Sequence, residues 1–343
     1  MEPIATPKID PLHLSLQTIT ELLDHSYWRT ICPWLSCGTM AAAVSSTSCL
    51  QTTSDARMES LRTRGFFRID AIDSPCSLAL ASSLEAGVIR LVSLGHTPTT
   101  IYVYDEAWEM ARLLNEQVSA TQPGNVSSGD SVAFLVNPTV HVFTGPHRDK
   151  PLAGPTTFHS SGLPCYTTVW VALSDATPDS SCLYFLPADR DPGYLATGDA
   201  ITEGMPSPSS WPSIVCQPCI QGDVLCFSHR LLHWGSTSQK DAPHRVALSF
   251  AFSHPLFEEP FFPPTFLPLP PLGLRLGLLC GQAILYATQA PLTKAALALN
   301  NRVFASQKSF FNEAYSEKVL SSAQSQKFMA HILKVHSVNS PKT

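Results

Sequence analysis

The sequence predicts a mainly β protein with flanking helices, built on a double-stranded β-helix (jelly roll, cupin-like) core. Three observations carry that expectation. Short β-rich runs separated by Gly, Pro, Asp and Ser follow one another between residues 132 and 252. The chain before them has helical periodicity, and the chain after them passes through a proline strap into further helices. Seven of the 12 histidines lie between His141 and His254, within the β-rich third of the chain.

In order, Pro11 to Leu23 has apolar residues near helical spacing and predicts a short helix, and Ala41 to Thr53, small and polar, predicts a loop. Gly65 to Asp70 alternates like a strand. Ser77 to Leu94 can put Leu78, Leu80, Ala81, Leu84, Val88 and Leu91 on one helical face. Ile101 to Tyr104 predicts a strand, and Glu106 to Val118 a helix whose Trp108 reads as packing. The β runs are Val132–Val136, Val140–Phe143, Thr167–Leu173, Cys182–Leu186, Asp223–Phe227 and Arg245–Phe252. The gap from Asp189 to Pro212 is rich in Gly, Pro and Ser and too long for a hairpin turn; such loops tend to carry function. Prolines from Pro255 to Pro271 exclude helix and central strand there. Two or three helices follow, from Leu272 to about His336. The expected organisation is one domain over 1–343: a helical portion to 129, a β core over 130–253, then the strap and C-terminal helices.

Composition excludes several classes. With 343 residues and 44% hydrophobic, the chain can bury a core. Lys plus Arg is 22 against 27 Asp plus Glu, so no global positive field exists to hold nucleic acid or an anionic membrane. The best apolar stretch, Leu272 to Tyr286, is shorter than about 20 residues and carries Arg275 and Gln282, so no membrane span is expected. The N-terminus has no basic region followed by an apolar core, and the 10 cysteines read as reduced, which predicts a cytoplasmic protein. Cys216-Gln-Pro-Cys219 has C-x-x-C spacing but neither a second pair nor a βαβ context, so no metal or redox role is assigned to it.

The chemistry centres on Gly145-Pro146-His147-Arg148-Asp149-Lys150-Pro151. In extended chain, residues i and i+2 share a face, so His147 and Asp149 stand side by side and Arg148 turns away. A further histidine from the run Gly222 to Ser236, either His229 or His233, would complete two histidines and one carboxylate, the open-sided ligand set of non-haem Fe(II) sites. Arg245 begins the last β run 12 residues after His233. If the two open neighbouring antiparallel strands, a guanidinium enters the same interior and needs an anion. His141, His159 and His244 are given no role.

In these features the sequence resembles the phytanoyl-CoA dioxygenase family of Fe(II)/2-oxoglutarate oxygenases. The resemblance covers about residues 60 to 253. It rests on Gly65-Phe66-Phe67, the run Tyr104 to Trp108, His147-x-Asp149, the run Trp170 to Thr177, Cys182 to Pro187, Gly222-Asp223, Leu232-His233-x-Gly235-Ser236 and Arg245. It implies that His147, Asp149 and His233 ligate Fe(II), with His233 preferred over His229 by its place before Gly-Ser. It further implies that Arg245 holds the far carboxylate of 2-oxoglutarate and that Ser236 and Trp170 line the cosubstrate pocket. The implied reaction uses O₂, with ascorbate as reductant, and releases succinate and CO₂. Asp149 favours hydroxylation, because a halogenase of this type needs a small residue there. Two departures stand out. Asp179-Ser180-Ser181-Cys182 replaces the family's Asp-Asn-Gly-Cys, and Pro187-Ala-Asp-Arg-Asp191 replaces its Pro-Gly-Ser-His. Both lie in the substrate-facing loop and weaken the case for an acyl-CoA, leaving a small, lipophilic organic substrate. The alternatives are a jelly-roll metal protein without 2-oxoglutarate chemistry and a non-catalytic binding module on the same fold.

Overall fold

In the computed structural model, residues 18–38, 51–74, 76–138, 145–150, 152, 157–196, 206–288 and 292–325 are described. The strands are β1 (Phe66–Ile69), β2 (Val126–Val136), β3 (Tyr166–Ala172), β4 (Leu183–Leu186), β5 (Val215–Gln217), β6 (Val224–Ser228), β7 (Leu232–Gly235) and β8 (Arg245–Ser253). The helices are α1 (Ile19–Leu22), α2 (His25–Ile31), α3 (Gln51–Arg64), α4 (Leu78–Ser93), α5 (Asp105–Thr121), α6 (Leu272–Leu285), α7 (Lys294–Gln307) and α8 (313–325).

Alternation along β3 sets the architecture. Successive side chains of a strand point to opposite faces. Val169 and Val171 pack on one side, into the large core with Leu84, Val88 and Leu91 of α4, while Trp170 and Ala172 pack on the other with Phe185 and Phe227. Val224 and Cys226 of β6, and Val246 and Leu248 of β8, repeat the helix-facing side; Leu225, Phe227 and Ala247 repeat the opposite one. The five-stranded sheet, in the order β1-β6-β3-β8-β2, is therefore buried on both faces. Its inner face meets a three-stranded sheet, β5-β4-β7, which contributes Leu183 and Phe185 to the shared cluster. Every strand pair is antiparallel.

The flanking helices are tied to the sheets by both packing and charge. Ser77 caps α4 by accepting the Leu80 N–H at 3.2 Å, and Ala81, Leu84, Val88 and Leu91 form its buried stripe. Arg275 of α6 is buried and donates to Asp105 at the start of α5 at 2.7 Å, so the helix after the proline strap is fastened to the N-terminal helices. Trp108 is buried and donates its indole N–H to the Tyr102 carbonyl at 2.7 Å. Among the described residues no helix is long and apolar enough to cross a membrane.

Three expectations need correction. The protein is not mainly β, since helical residues outnumber strand residues among those described. Residues 101–104 are not a strand: Pro98–Val103 forms a 3₁₀ helix in which Thr100 to Val103 are all buried, so no alternation distinguishes two faces. Gln51 to Thr53, assigned to a loop, begin α3; the expected N-terminal helix is present at Ile19–Leu22, and residues 11–17 lie outside the described residues. The expected strand Val140–Phe143 also lies outside the described residues.

Candidate metal and cosubstrate site

Strand β7 is only four residues long, yet it brings the two candidate metal-ligating histidines together. His147 and His233 face each other as an antiparallel bridge, exchanging two backbone N–H···O bonds of 3.0 Å. Their rings lie 4.3 Å apart, centre to centre. Asp149, two residues along from His147, turns its Oδ1 to both rings, 3.6 Å from His147 Nε2 and 3.5 Å from His233 Nε2. The three ligand atoms all lie within 4.8 Å of one another. His229, the competing ligand, is outside this group.

Hydrogen bonds fix which atoms face inward. His147 Nδ1 contacts the Gly145 carbonyl at 2.8 Å, and His233 Nδ1 contacts the Leu231 carbonyl at 3.0 Å. A carbonyl only accepts, so each Nδ1 carries a hydrogen, and in the neutral ring Nε2 keeps the lone pair. Asp149 Oδ2 accepts from the Thr168 hydroxyl, leaving Oδ1 to the site. Burial opposes the charged form of Asp149, but the His233 and His147 rings and the Thr168 hydroxyl outweigh it and hold the carboxyl well below the usual carboxylate range. Burial pushes His233 down to about 4, so its ring is neutral at pH 7. With both rings neutral, two lone pairs and a carboxylate oxygen converge. Such an arrangement fits a divalent cation of the N/O-binding class.

The residues beside the ligands are anchored. Arg148, turned away as expected, makes a bidentate pair with Asp191, at 2.6 and 3.1 Å, and both side chains are 4% exposed. Lys150 reaches Glu258 at 2.9 Å. The segment at Gly193 and Tyr194 is fixed to the same region, since Arg230 donates to the Tyr194 carbonyl at 3.1 Å and the Gly193 carbonyl at 3.0 Å.

Arg245 enters from the opposite sheet. The expected pairing of its strand with that of His233 is incorrect: β8 pairs with β2 and β3, whereas β7 pairs with β4. The Arg245 guanidinium instead reaches β7 from across the inter-sheet space, 3.7 Å from where a Cβ would stand on Gly235. Trp170 lies under the guanidinium, 5.6 Å from its ring centre, and shares a buried cluster with Phe227 and Phe185, whose rings are 4.7 and 6.3 Å from that of His233. Arg245 is 4% exposed and, among the described residues, has no carboxylate within salt-bridge reach. Burial pushes it down to about 10. A buried cation facing aromatic rings without a counter-charge fits an anionic ligand group.

Ser236 sits elsewhere. Its hydroxyl donates to the Pro178 carbonyl at 3.2 Å. The hydroxyl beside Arg245 belongs to Ser181, which the sequence reading did not single out as a site residue. Arg245 Nε donates to the Ser181 carbonyl at 3.1 Å and Nη2 to its Oγ at 3.2 Å. The only sequence signal was the serine standing where the resembled family has glycine. His229 is buried, donates through Nδ1 to the Tyr166 carbonyl at 2.9 Å, and has no partner for Nε2 among the described residues. His244 pairs with Glu85 at 3.0 Å, His159 packs against His254, and His141 lies outside the described residues. Cys216 approaches Cys182, Sγ to Sγ, at 3.2 Å, and neither belongs to the ligand group.

The sequence model of the phytanoyl-CoA dioxygenase family matches residues 106–245, a span that includes His147, Asp149 and His233 and ends on Arg245. No curated protein matches the chain. Among solved structures, the chain is similar to the non-heme alpha ketoglutarate dependent epimerase SnoN from nogalamycin biosynthesis, at 16% identity and a TM-score of 0.46, over 59% of this chain and 81% of that one. It is similar to the carbocyclase SnoK from the same biosynthesis at 16% identity and a TM-score of 0.42, over 61% and 87%. AviO1 from Streptomyces viridochromogenes Tue57 gives 20% identity and a TM-score of 0.44, over 61% and 97%.

Proposed function

We propose that the protein is a non-haem Fe(II)- and 2-oxoglutarate-dependent dioxygenase that hydroxylates a small, lipophilic organic substrate. The observation that carries this reading is the convergence of His147 Nε2, His233 Nε2 and Asp149 Oδ1 in the same inter-sheet interior as a buried Arg245 that has no counter-charge among the described residues. His147, Asp149 and His233 would hold the metal, and Arg245 the far carboxylate of 2-oxoglutarate. When bound, the metal and 2-oxoglutarate supply oxidising power from O₂, with succinate and CO₂ released.

The chain's own part is positioning and shielding. The two Nδ1–H bonds to backbone carbonyls hold both imidazoles in the tautomer that offers Nε2. Thr168 occupies one oxygen of Asp149, so the carboxylate offers the site a single oxygen. Phe185, Phe227 and Trp170 give the space between the sheets an apolar, buried lining. The strand orders of the two antiparallel sheets support the jelly-roll reading. A core shared by residues from Leu22 to Val303 supports treating the chain as one oxygenase domain. Retention of the carboxylate ligand Asp149 supports hydroxylation. The anchored segment around Tyr194 supports a covered mouth for an apolar substrate.

The test is turnover of 2-oxoglutarate to succinate by the purified protein with Fe(II), O₂ and ascorbate. The expected result is succinate release that is absent in His147→Ala and rises with one compound of a lipophilic panel. Wild-type protein that binds metal but never forms succinate rejects the reading.

A further inference from the structure

We propose that Ser181, and not Ser236, supplies the hydroxyl of the anion subsite at Arg245. This inference rests on the reading of that subsite as the seat of the far carboxylate of 2-oxoglutarate. Ser181 is buried, and its backbone lies at φ +68°, the left-handed region that side-chain-bearing residues rarely adopt. The turn that holds it there is closed on itself: Ser180 N–H and Cys182 N–H both donate to the Thr177 carbonyl, at 3.1 and 2.9 Å. Glycine would take this conformation without cost, so a serine here needs a reason in its side chain.

The reason is the guanidinium. Arg245 donates twice to Ser181, to the carbonyl and to Oγ. Because Oγ accepts from Nη2, its own hydrogen is directed to another acceptor, and among the described residues none takes it. Space beside both groups is kept by Gly235. A Cβ there would stand 3.3 Å from Ser181 Oγ and 3.7 Å from Arg245 Nη2. A carboxylate set against this corner would accept from the guanidinium and from the serine hydroxyl together. Ser236 has its hydroxyl committed to the Pro178 carbonyl.

The test measures 2-oxoglutarate binding by calorimetry to the full chain loaded with Mn(II), which avoids turnover. Ser181→Ala should weaken binding roughly tenfold or more, the size expected for one charge-assisted hydrogen bond. Ser236→Ala should stay within about twofold of wild type. Ser181→Gly separates positioning from folding, because it removes the hydroxyl yet relieves the left-handed strain. It should raise the melting temperature by roughly 2–4 °C while weakening binding as Ser181→Ala does. Binding of 2-oxovalerate, which lacks the far carboxylate, should not change in either variant. Wild-type binding with unchanged affinity in both Ser181 variants, or the loss appearing in Ser236→Ala instead, overturns this inference alone. A metal-loaded wild type that does not bind 2-oxoglutarate overturns the functional reading along with it.

Discussion

Asp191→Ala tests whether a buried charge pair, and not the ligands alone, holds the metal loop. Arg148 stands between His147 and Asp149 and is clamped by Asp191 through two hydrogen bonds of 2.6 and 3.1 Å, in a setting where both side chains are 4% exposed. Removing the carboxylate leaves a guanidinium buried without its counter-charge, which costs about 3–5 kcal/mol. Set against a total stability on the order of 5–15 kcal/mol, the denaturant midpoint should fall visibly with the slope unchanged. The same loss loosens the backbone that aims both ligands, so Mn(II) affinity should drop roughly 10–100-fold, as for other groups that orient metal ligands. The assay is urea unfolding with metal titration for Asp191→Ala, Arg148→Met and the double variant Arg148→Met/Asp191→Leu. The double variant should recover much of the stability, because no lone charge remains buried. Additive losses, or a single-variant loss below about 1 kcal/mol, would refute the reasoning.

Three further outcomes are expected. Thr168→Val removes the donor to Asp149 Oδ2 and should weaken Mn(II) binding about tenfold with the fold intact; equal affinity would show that the hydroxyl does not orient the carboxylate. Arg245→Ala should abolish measurable 2-oxoglutarate binding while Mn(II) binding survives, and unchanged cosubstrate affinity would reject its role. Burial pushes His229 down to about 4. Between pH ~6.5 and ~4 the unfolded chain therefore takes up a proton that the native state refuses, and stability falls with pH by about 3 kcal/mol in all. In His229→Phe that contribution should vanish, leaving a shallower fall in urea-measured stability across the window; identical slopes would contradict the assignment.

What the sequence revealed depended on where each signal lived. The alternation of β3 and the i, i+2 spacing of His147 and Asp149 are local properties, and both were legible. The 3₁₀ turn at Pro98–Val103 was misread because its apolar residues are buried all round, so composition resembled a strand where no strand period operates. β5 was missed because three residues cannot display a period, and β7 was anticipated only as a strand opening at His233, since its four residues put a histidine where alternation would look for an apolar residue. Which sheet Arg245 joins is a long-range fact: β8 pairs with β3, some eighty residues earlier in the chain, and no spacing encodes that. Ser181 escaped for the same reason. Its role arises from a left-handed turn that places a small hydroxyl against a residue in the opposite sheet.

The most direct measurement of the central claim is an anaerobic titration of Fe(II) and 2-oxoglutarate into the wild-type protein and His147→Ala, followed by visible absorption. A charge-transfer band should appear in wild type only when both are present and be missing in the variant. A wild-type protein that binds Fe(II) yet shows no 2-oxoglutarate-dependent band would contradict the claim.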